Sequence, residues 1–245
     1  MEYPIIKSLL IYMKIVIIIP AYNEEATISE VVKEALKHGD TIVVDDGSSD
    51  NTGILAKKAG AKVIKHEKNK GKGAALKTGV RSIINSGYDV IIFMDGDGQH
   101  DPKYIKPLAS RINSAQIVIG SRFLGDISKM PLKRRFSNRI TTYILKHLTG
   151  YHLTDSQSGF KAINANCAQM LLKIPYDDYI YESELICAAA AHNLIVDEIP
   201  ITCNYDLEKS YIGIADLLKY MIFIARLLSL KIIEKIAGFL STLRG

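Results

Sequence analysis

The sequence predicts an α/β domain built on a mostly parallel sheet with helices on both faces. Three observations predict it. Short apolar runs alternate with stretches of helical spacing from Lys14 to Ile119. The runs are apolar throughout, as strands covered on both faces are. Several end abruptly in polar clusters: PAYNEE closes the first, VVDDGSSDNT the second and MDGDGQHDP the fourth. In open parallel sheets ligands bind beyond the carboxyl ends of the strands, so these clusters are where chemistry is expected.

Each element follows from local pattern. Lys14–Ile19 is a β-branched run stopped by Pro20 and predicts the first strand. Thr27–Lys37 carries apolar residues at 28, 31, 32 and 35, the spacing of a helix. Thr41–Val44 is the second strand, and Asn51–Ala59 a helix that Ser49 or Asp50 is suited to cap. Ala61–Ile64 and Gly73–Ile84 repeat the strand–helix pair. Val90–Met94 is the fourth strand. Asp101 and Pro102 open the next helix, Tyr104–Ile112, and Gln116–Ile119 is the fifth strand.

After Ser121 the pattern loosens. Arg122–Arg139 is basic and less periodic. Gly159–Ile163 and Ile195–Ile201 read as strands, Ala165–Leu172 and Glu182–His192 as helices. From Ile212 to Leu243 one or two helices are expected. Their charges, Asp216, Lys219, Arg226, Lys231, Glu234 and Lys235, occupy about half of the helical wheel. Arg226 and Lys231 break any run of the length a spanning helix needs. Two readings of this tail stand: an amphipathic helix lying in a membrane interface, or a helix packed on its own domain or on a second copy.

The expected organisation is therefore an extension over 1–12, a catalytic domain over 13–210 and an amphipathic helical tail over 211–245. Met13 directly precedes KIVIIIP and is the expected natural start. Lys7 and Lys14 interrupt the apolar beginning, which has no small-residue cleavage site, so no signal peptide is expected.

Composition narrows the function classes. Nearly half of the 245 residues are apolar, enough for a sizeable core. With 31 basic and 26 acidic residues the net charge is +5, too balanced to imply nucleic acid. It suits a local basic patch facing phosphates or an anionic membrane. The three cysteines form no CxxC pair, against a disulfide framework or structural zinc and in keeping with a reducing cytosol. The histidines do not cluster as a metal site.

The polar clusters suggest specific chemistry. Asp95 and Asp97 flank Gly96, in a loop where both carboxylates can turn towards one hard cation such as Mg2+ or Mn2+. Gln99 offers a further oxygen. The plain alternative is a polar turn before a helix. Asp45 and Asp46 suit ribose hydroxyls and base nitrogens, and Asp45 is not needed as a helix cap. NKGKGAALKTG lacks the GxxxxGK[ST] spacing, and no GxGxxG follows the first strand, which disfavours a dinucleotide fold. Lys72, near a helix start, is placed to meet a phosphate. Arg122, Lys133, Arg134 and Arg135 form a dense positive cluster, whose plain alternative is a solvated helix face.

Six motifs in order, IIIPAYNEE, VVDDGSSDNT, NKGKGAALKTG, MDGDGQHDP, IGSRF and TDSQSGFKA, resemble family 2 glycosyltransferases of the GT-A fold. The chain is most similar to their dolichol-phosphate mannose synthase branch, which acts on polyprenyl phosphates, over about Lys14 to Asn204. The resemblance implies transfer of a monosaccharide, with inversion, from a nucleotide-diphosphate sugar, using Mg2+ or Mn2+. It implies that Pro20, Tyr22, Glu24, Asp45 and Asp46, with Lys72, bind the donor, and that Asp95, Asp97 and Gln99 hold the metal and diphosphate. It implies that Arg122 and Arg134, with Asn138, hold the phosphate of a polyprenyl (dolichyl) acceptor. A phosphate acceptor is already ionised and needs positioning more than a base. With a hydroxyl acceptor, as in polysaccharide or glycoprotein assembly, Asp155 is the candidate base; otherwise it is a structural loop acid. A non-catalytic nucleotide-sugar-binding or scaffold protein is the remaining alternative.

The chain departs from the family in CNYDLEKSYI, where a basic segment ending in Ser-Lys is usual. Lys209–Ser210 is reversed, and Lys209 is the candidate for reaching the diphosphate. Some relatives carry spanning helices, for which this chain has only the amphipathic tail. Peripheral attachment to the cytoplasmic face of a membrane is expected, with a nucleotide sugar, a polyprenyl phosphate and the membrane surface as partners, and no nucleic acid.

Overall fold

The computed structural model describes residues 13–205 and 219–229, and a seven-stranded sheet organises them. The strands are β1 (Ile15–Ala21), β2 (Asp40–Asp45), β3 (Lys62–Lys65), β4 (Val90–Phe93), β5 (Ile117–Ser121), β6 (Lys161–Asn164) and β7 (Val196–Pro200). The helices are α1 (Ile28–Ala35), α2 (Thr52–Lys58), α3 (Lys72–Arg81), α4 (Ile105–Ser110), α5 (Leu132–Thr149), α6 (Ala168–Lys173) and α7 (Ile180–Ala191), with a further helical stretch, α8, over 219–229.

The strand order is β3-β2-β1-β4-β6-β5-β7. All pairs are parallel except those of β6, which runs against both β4 and β5. Alternation along β1 shows why its apolar run is continuous. Ile17 and Ile19 enter one core layer with Val32 and Ala35 of α1 and Leu108 of α4. Val16 and Ile18 enter the other with Leu76 and Val80 of α3 and Leu185 of α7. Pro20 continues β1 instead of stopping it. It pairs with Val44 beyond Ile18↔Phe93, the last β1–β4 pair, where a missing N–H is tolerated. In α1 the buried residues are Ile28, Val31, Val32 and Ala35, the positions that predicted the helix.

Two differences from the sequence reading matter. The basic stretch after Ser121 is not irregular throughout: α5 begins at Leu132 and runs for 18 residues. Its periodicity is hidden because Thr141, Thr142 and Leu145 are its buried positions while larger apolar residues face outwards. Second, β6 is antiparallel, a property of pairing that a local pattern does not carry.

Helix α8 packs against the domain. Phe223 is buried edge-on to Tyr176, ring centroids 5.3 Å apart. The Tyr220 and Ser183 hydroxyls are 3.0 Å apart, and Arg226 Nη1 donates to Tyr176 Oη at 2.9 Å. Its other face exposes Met221, Ile222 and Leu228. The expectations for 1–12, for Lys209 and for the rest of the tail lie outside the described residues. Among the described residues no helix is long and apolar enough to cross a membrane.

Candidate active site

The motifs meet at the carboxyl ends of β1, β2 and β4. Asp45 closes β2 and is fully buried. Its Oδ1 accepts the Ser48 N–H at 2.8 Å, while Oδ2 accepts no hydrogen bond and has Lys65 Nζ at 3.5 Å. A Cβ on Gly53 would lie 2.6 Å from that oxygen, so only glycine fits there. The PAYNEE and DDGSSDNT loops are tied together. Asn23, at φ +55°, accepts the Ser49 N–H at 2.9 Å, and the Glu24 N–H donates to Thr52 Oγ1 at 2.8 Å. Tyr22 stands exposed on this rim, next to Pro20 and Ala21 of β1.

Asp46 has a different position from Asp45. Its Oδ1 lies 2.6 Å from His66 Nδ1 and accepts the Lys70 N–H at 2.9 Å, and its Oδ2 accepts the Gly71 N–H at 2.8 Å. His66 Nε2 continues to Thr78 Oγ1 at 2.9 Å. The Asp46 carboxylate is buried and engaged in shaping the loop that leads into α3. Adjacent residues of an extended chain point to opposite sides, which was the available signal that the two acids separate.

That loop delivers Lys72, the first residue of α3, to Asp95. Lys72 Nζ is 2.6 Å from Asp95 Oδ1 and 3.2 Å from Glu182 Oε1. Lys161, in the middle of the sheet, pairs with Glu182 Oε2. The result is a chain of alternating charges, Asp95–Lys72–Glu182–Lys161. Burial pulls the Lys72 ammonium down, but Asp95 and Glu182 outweigh it and hold the pKa above the usual lysine range. Burial would raise Asp95, but Lys72 foremost holds its carboxyl well below the usual range. Asp97 is pushed the other way, up to about 6, by burial and by the neighbouring charge of Asp95. His100 stacks on Phe160 at 5.0 Å, and burial pulls its pKa down to about 4, so it is neutral at pH 7.

Asp97 Oδ1 accepts the Gln99 N–H at 2.9 Å, and Gln99 Oε1 accepts from Arg134 Nη1 of α5 at 3.2 Å. Asp95, Asp97 and Gln99 thus share one loop end. Among the described residues no three His, Cys, Asp or Glu side chains cluster closely enough to hold a cation. Two carboxylates and an amide fit a cation that completes its shell with substrate phosphate oxygens and water.

The basic cluster divides in two. Arg122 and Asp155 form a buried bidentate pair, Nε to Oδ2 at 2.7 Å and Nη2 to Oδ1 at 2.8 Å. Glu198 accepts the Thr154 and Asp155 N–H groups and fixes that loop. Both oxygens of Asp155 accept from Arg122, the engagement expected of the structural-acid reading. Arg122 is likewise committed through two nitrogens. Arg134 instead reaches the Asp97–Gln99 loop. One helical turn on, Asn138 keeps a buried Nδ2 without a hydrogen-bond partner. Tyr205 has a buried hydroxyl without one, and burial foremost pushes its pKa up to about 12.

Sequence reasoning passed over Glu182, Lys161 and Tyr205, and read His66 only as a surface or packing residue, whereas it is buried against Asp46 and Thr78. The signal for the first two was a lysine inside a β-strand and an acid inside an apolar helix, since buried charges require partners. A groove of about 480 Å³ lined by His38, Asp40 and Tyr88 lies at the opposite, amino ends of β1 and β2 and contains none of the motifs.

The profile of Glycosyl transferase family 2 matches residues 16–170. The chain is 35% identical over 243 residues to a UDP-N-acetylglucosamine–dolichyl-phosphate N-acetylglucosaminyltransferase of Methanococcus voltae, covering 89% of this chain and 96% of that one. It is 30% identical to an undecaprenyl-phosphate mannosyltransferase of Micrococcus luteus, covering 78% and 83%. Among solved structures, glucosyl-3-phosphoglycerate synthase of Mycobacterium tuberculosis, crystallised with Mn2+, uridine diphosphate and phosphoglyceric acid, superposes with a TM-score of 0.67 at 21% identity, covering 91% and 80%. The sheet and its strand-end motifs are those of the GT-A fold, and the chain belongs to glycosyl transferase family 2 as a glycosyltransferase.

Proposed function

We propose that the protein transfers a monosaccharide, with inversion, from a nucleotide-diphosphate sugar to a polyprenyl phosphate at the cytoplasmic face of a membrane. The observation that carries this reading is the two-sided character of α5. On one side Arg134 bonds to Gln99 and Asn138 holds its unpartnered Nδ2 inward. On the other, Leu132, Phe136, Ile140 and Tyr143 are 76, 69, 45 and 63% exposed. At helical pitch these four fall within roughly 80° of arc, opposite Arg134 and Asn138. Lys133 borders the stripe on one side, and Arg139 and Lys146 on the other. An apolar stripe between basic flanks suits an anionic lipid surface. A lipid phosphate would thus reach Arg134 from the same helix that meets its membrane. The names of the two relatives support the same acceptor class.

The residue roles follow. Asp45 receives the nucleoside, with Pro20, Tyr22 and Glu24 lining the rim. Asp95, Asp97 and Gln99 would hold Mg2+ or Mn2+, which when bound would neutralise the charge of the departing diphosphate. Arg134 and Asn138 orient the acceptor phosphate, and Arg122 adds positive charge from within its ion pair. The acceptor oxygen attacks the anomeric carbon and nucleoside diphosphate departs. No general base is needed, in keeping with the engagement of Asp155 by Arg122. That engagement also disfavours a sugar-hydroxyl acceptor, which would need one.

The test combines purified protein, Mn2+ and a short polyprenyl phosphate with labelled GDP-mannose, UDP-glucose or UDP-N-acetylglucosamine in turn. Label entering the organic phase from one donor is the expected result and names the sugar. Nucleotide release that requires a soluble sugar acceptor, with no organic label, would transfer the assignment to hydroxyl glycosylation.

A further inference from the structure

Lys72 stands between two carboxylates that are not equivalent. Asp95, at 2.6 Å, keeps about a quarter of its side-chain surface open to the cleft. Glu182 is buried, and its Oε1 has the Lys72 ammonium only at the longer distance of 3.2 Å. A buried carboxylate oxygen without a donor is costly unless one reaches it. Lys161 holds the other oxygen, Oε2, so Glu182 offers Oε1 as a fixed acceptor.

The backbone beneath Lys72 is fixed too. The Lys70 and Gly71 N–H groups donate to Asp46, and the Ala74 N–H donates to Asp177 O at 2.9 Å. The pair is packed on Gly159, where a Cβ would overlap Asp95 Oδ2 and come within 2.6 Å of Lys72 Nζ. With the backbone and Glu182 Oε2 held, the Lys72 ammonium lies between two acceptors, Asp95 Oδ1 and Glu182 Oε1.

We propose that Lys72 is a built-in counter-cation: it occupies Asp95 in the metal-free enzyme and turns to Glu182 Oε1 when a divalent cation takes Asp95. This rests on the reading of Asp95 and Asp97 as cation ligands. The exchange keeps charge balanced at every stage. Before the metal, Lys72 is the cation in direct contact with Asp95, and it offsets the repulsion from Asp97. Afterwards Lys72 closes fully on Glu182 Oε1, and the metal compensates the two aspartates. The lysine thereby competes with the metal, and metal affinity is set by the balance between Asp95 and Glu182 as ammonium acceptors.

The experiment measures Mn2+ binding directly, by the loss of the free-ion electron paramagnetic resonance signal, with and without UDP or GDP. Wild type, Lys72→Met, Lys72→Arg and Asp97→Asn are compared. Removing the competitor should tighten Mn2+ binding by about tenfold in Lys72→Met, the factor expected if Lys72 holds Asp95 about nine-tenths of the time. Lys72→Arg should behave as wild type. Equal or weaker binding by Lys72→Met, with binding clearly weakened in Asp97→Asn, would overturn the counter-cation role and leave the metal site standing. No binding by wild type, even with nucleotide, would remove the metal reading and this inference with it. Wild type supplies a second measurement that does not depend on the methionine variant folding. The Lys72 side-chain amine resonance, identified by its absence from Lys72→Arg, should shift on adding Mg2+; an unmoved resonance overturns the proposal.

Discussion

The two halves of the sheet differ in which contact dominates their buried polar residues, although each half has some of both. Around β1, β2 and β4, carboxylates and amides accept from backbone N–H groups: Asp45 from Ser48, Asp46 from Lys70 and Gly71, Asn23 from Ser49, Asp97 from Gln99. Around β5, β6 and β7, charge meets buried charge: Arg122 with Asp155, Lys161 with Glu182. The first arrangement shapes loops, and a neutral side chain of the same outline can keep it. The second must be kept whole, because deleting one partner leaves the other buried and uncompensated. Site and scaffold are thus separable by mutation on the nucleotide side and less so on the acceptor side.

The largest effect tests the acceptor side. Asp155→Ala strands the buried Arg122 guanidinium and should cost about 3–5 kcal/mol of stability, read by denaturant unfolding. A variant as stable as wild type would erase the contrast. Asp97→Asn probes the other side. It should keep the melting temperature, since an amide oxygen can still accept the Gln99 N–H, yet slow transfer about a thousandfold, ~4 kcal/mol, by weakening the cation site. Loss of folding would show that Asp97 is structural after all. Next comes the outer face of α5. Leu132→Ser with Phe136→Ser should lower partitioning onto anionic vesicles by roughly a hundredfold, about 3 kcal/mol, without changing turnover of a short soluble acceptor. Unchanged co-sedimentation would point away from α5 as the membrane contact. The smallest effect sharpens the boundary itself. Arg134→Ala should raise the KM for polyprenyl phosphate about tenfold and that for nucleotide sugar much less. An equal rise in both would move Arg134 to the donor side.

The same contrast governs what the sequence made legible. In the first half, each strand is an apolar run closed by a polar cluster, so β1, β2 and β4 and their motifs could be read locally. Helix α1 was readable because its large apolar residues face the core. Helix α5 was obscured because its buried face is threonine and leucine while Phe136 and Leu132 point outwards, inverting the usual pattern. The ion pairs join residues far apart, 33 positions for Arg122 and Asp155, and no spacing rule reaches across the sheet. Asp155 was legible as an acid near the site, but its commitment to Arg122 was not. Asp46 beside Asp45 shows the same limit at short range: adjacent acids with equal chemistry, separated only by the direction in which each leaves β2.

Helix α5 has one more consequence. On the proposed reading, the same rod carries the phosphate grip on one side and the lipid contact on the other, so its thickness acts as a ruler. An α-helix with its side chains is about 10–12 Å across. The reacting phosphate would therefore have to rise by about that height above the acyl boundary. Selection among lipids would then depend less on chain length, which lies below the helix, than on how far the head group can climb.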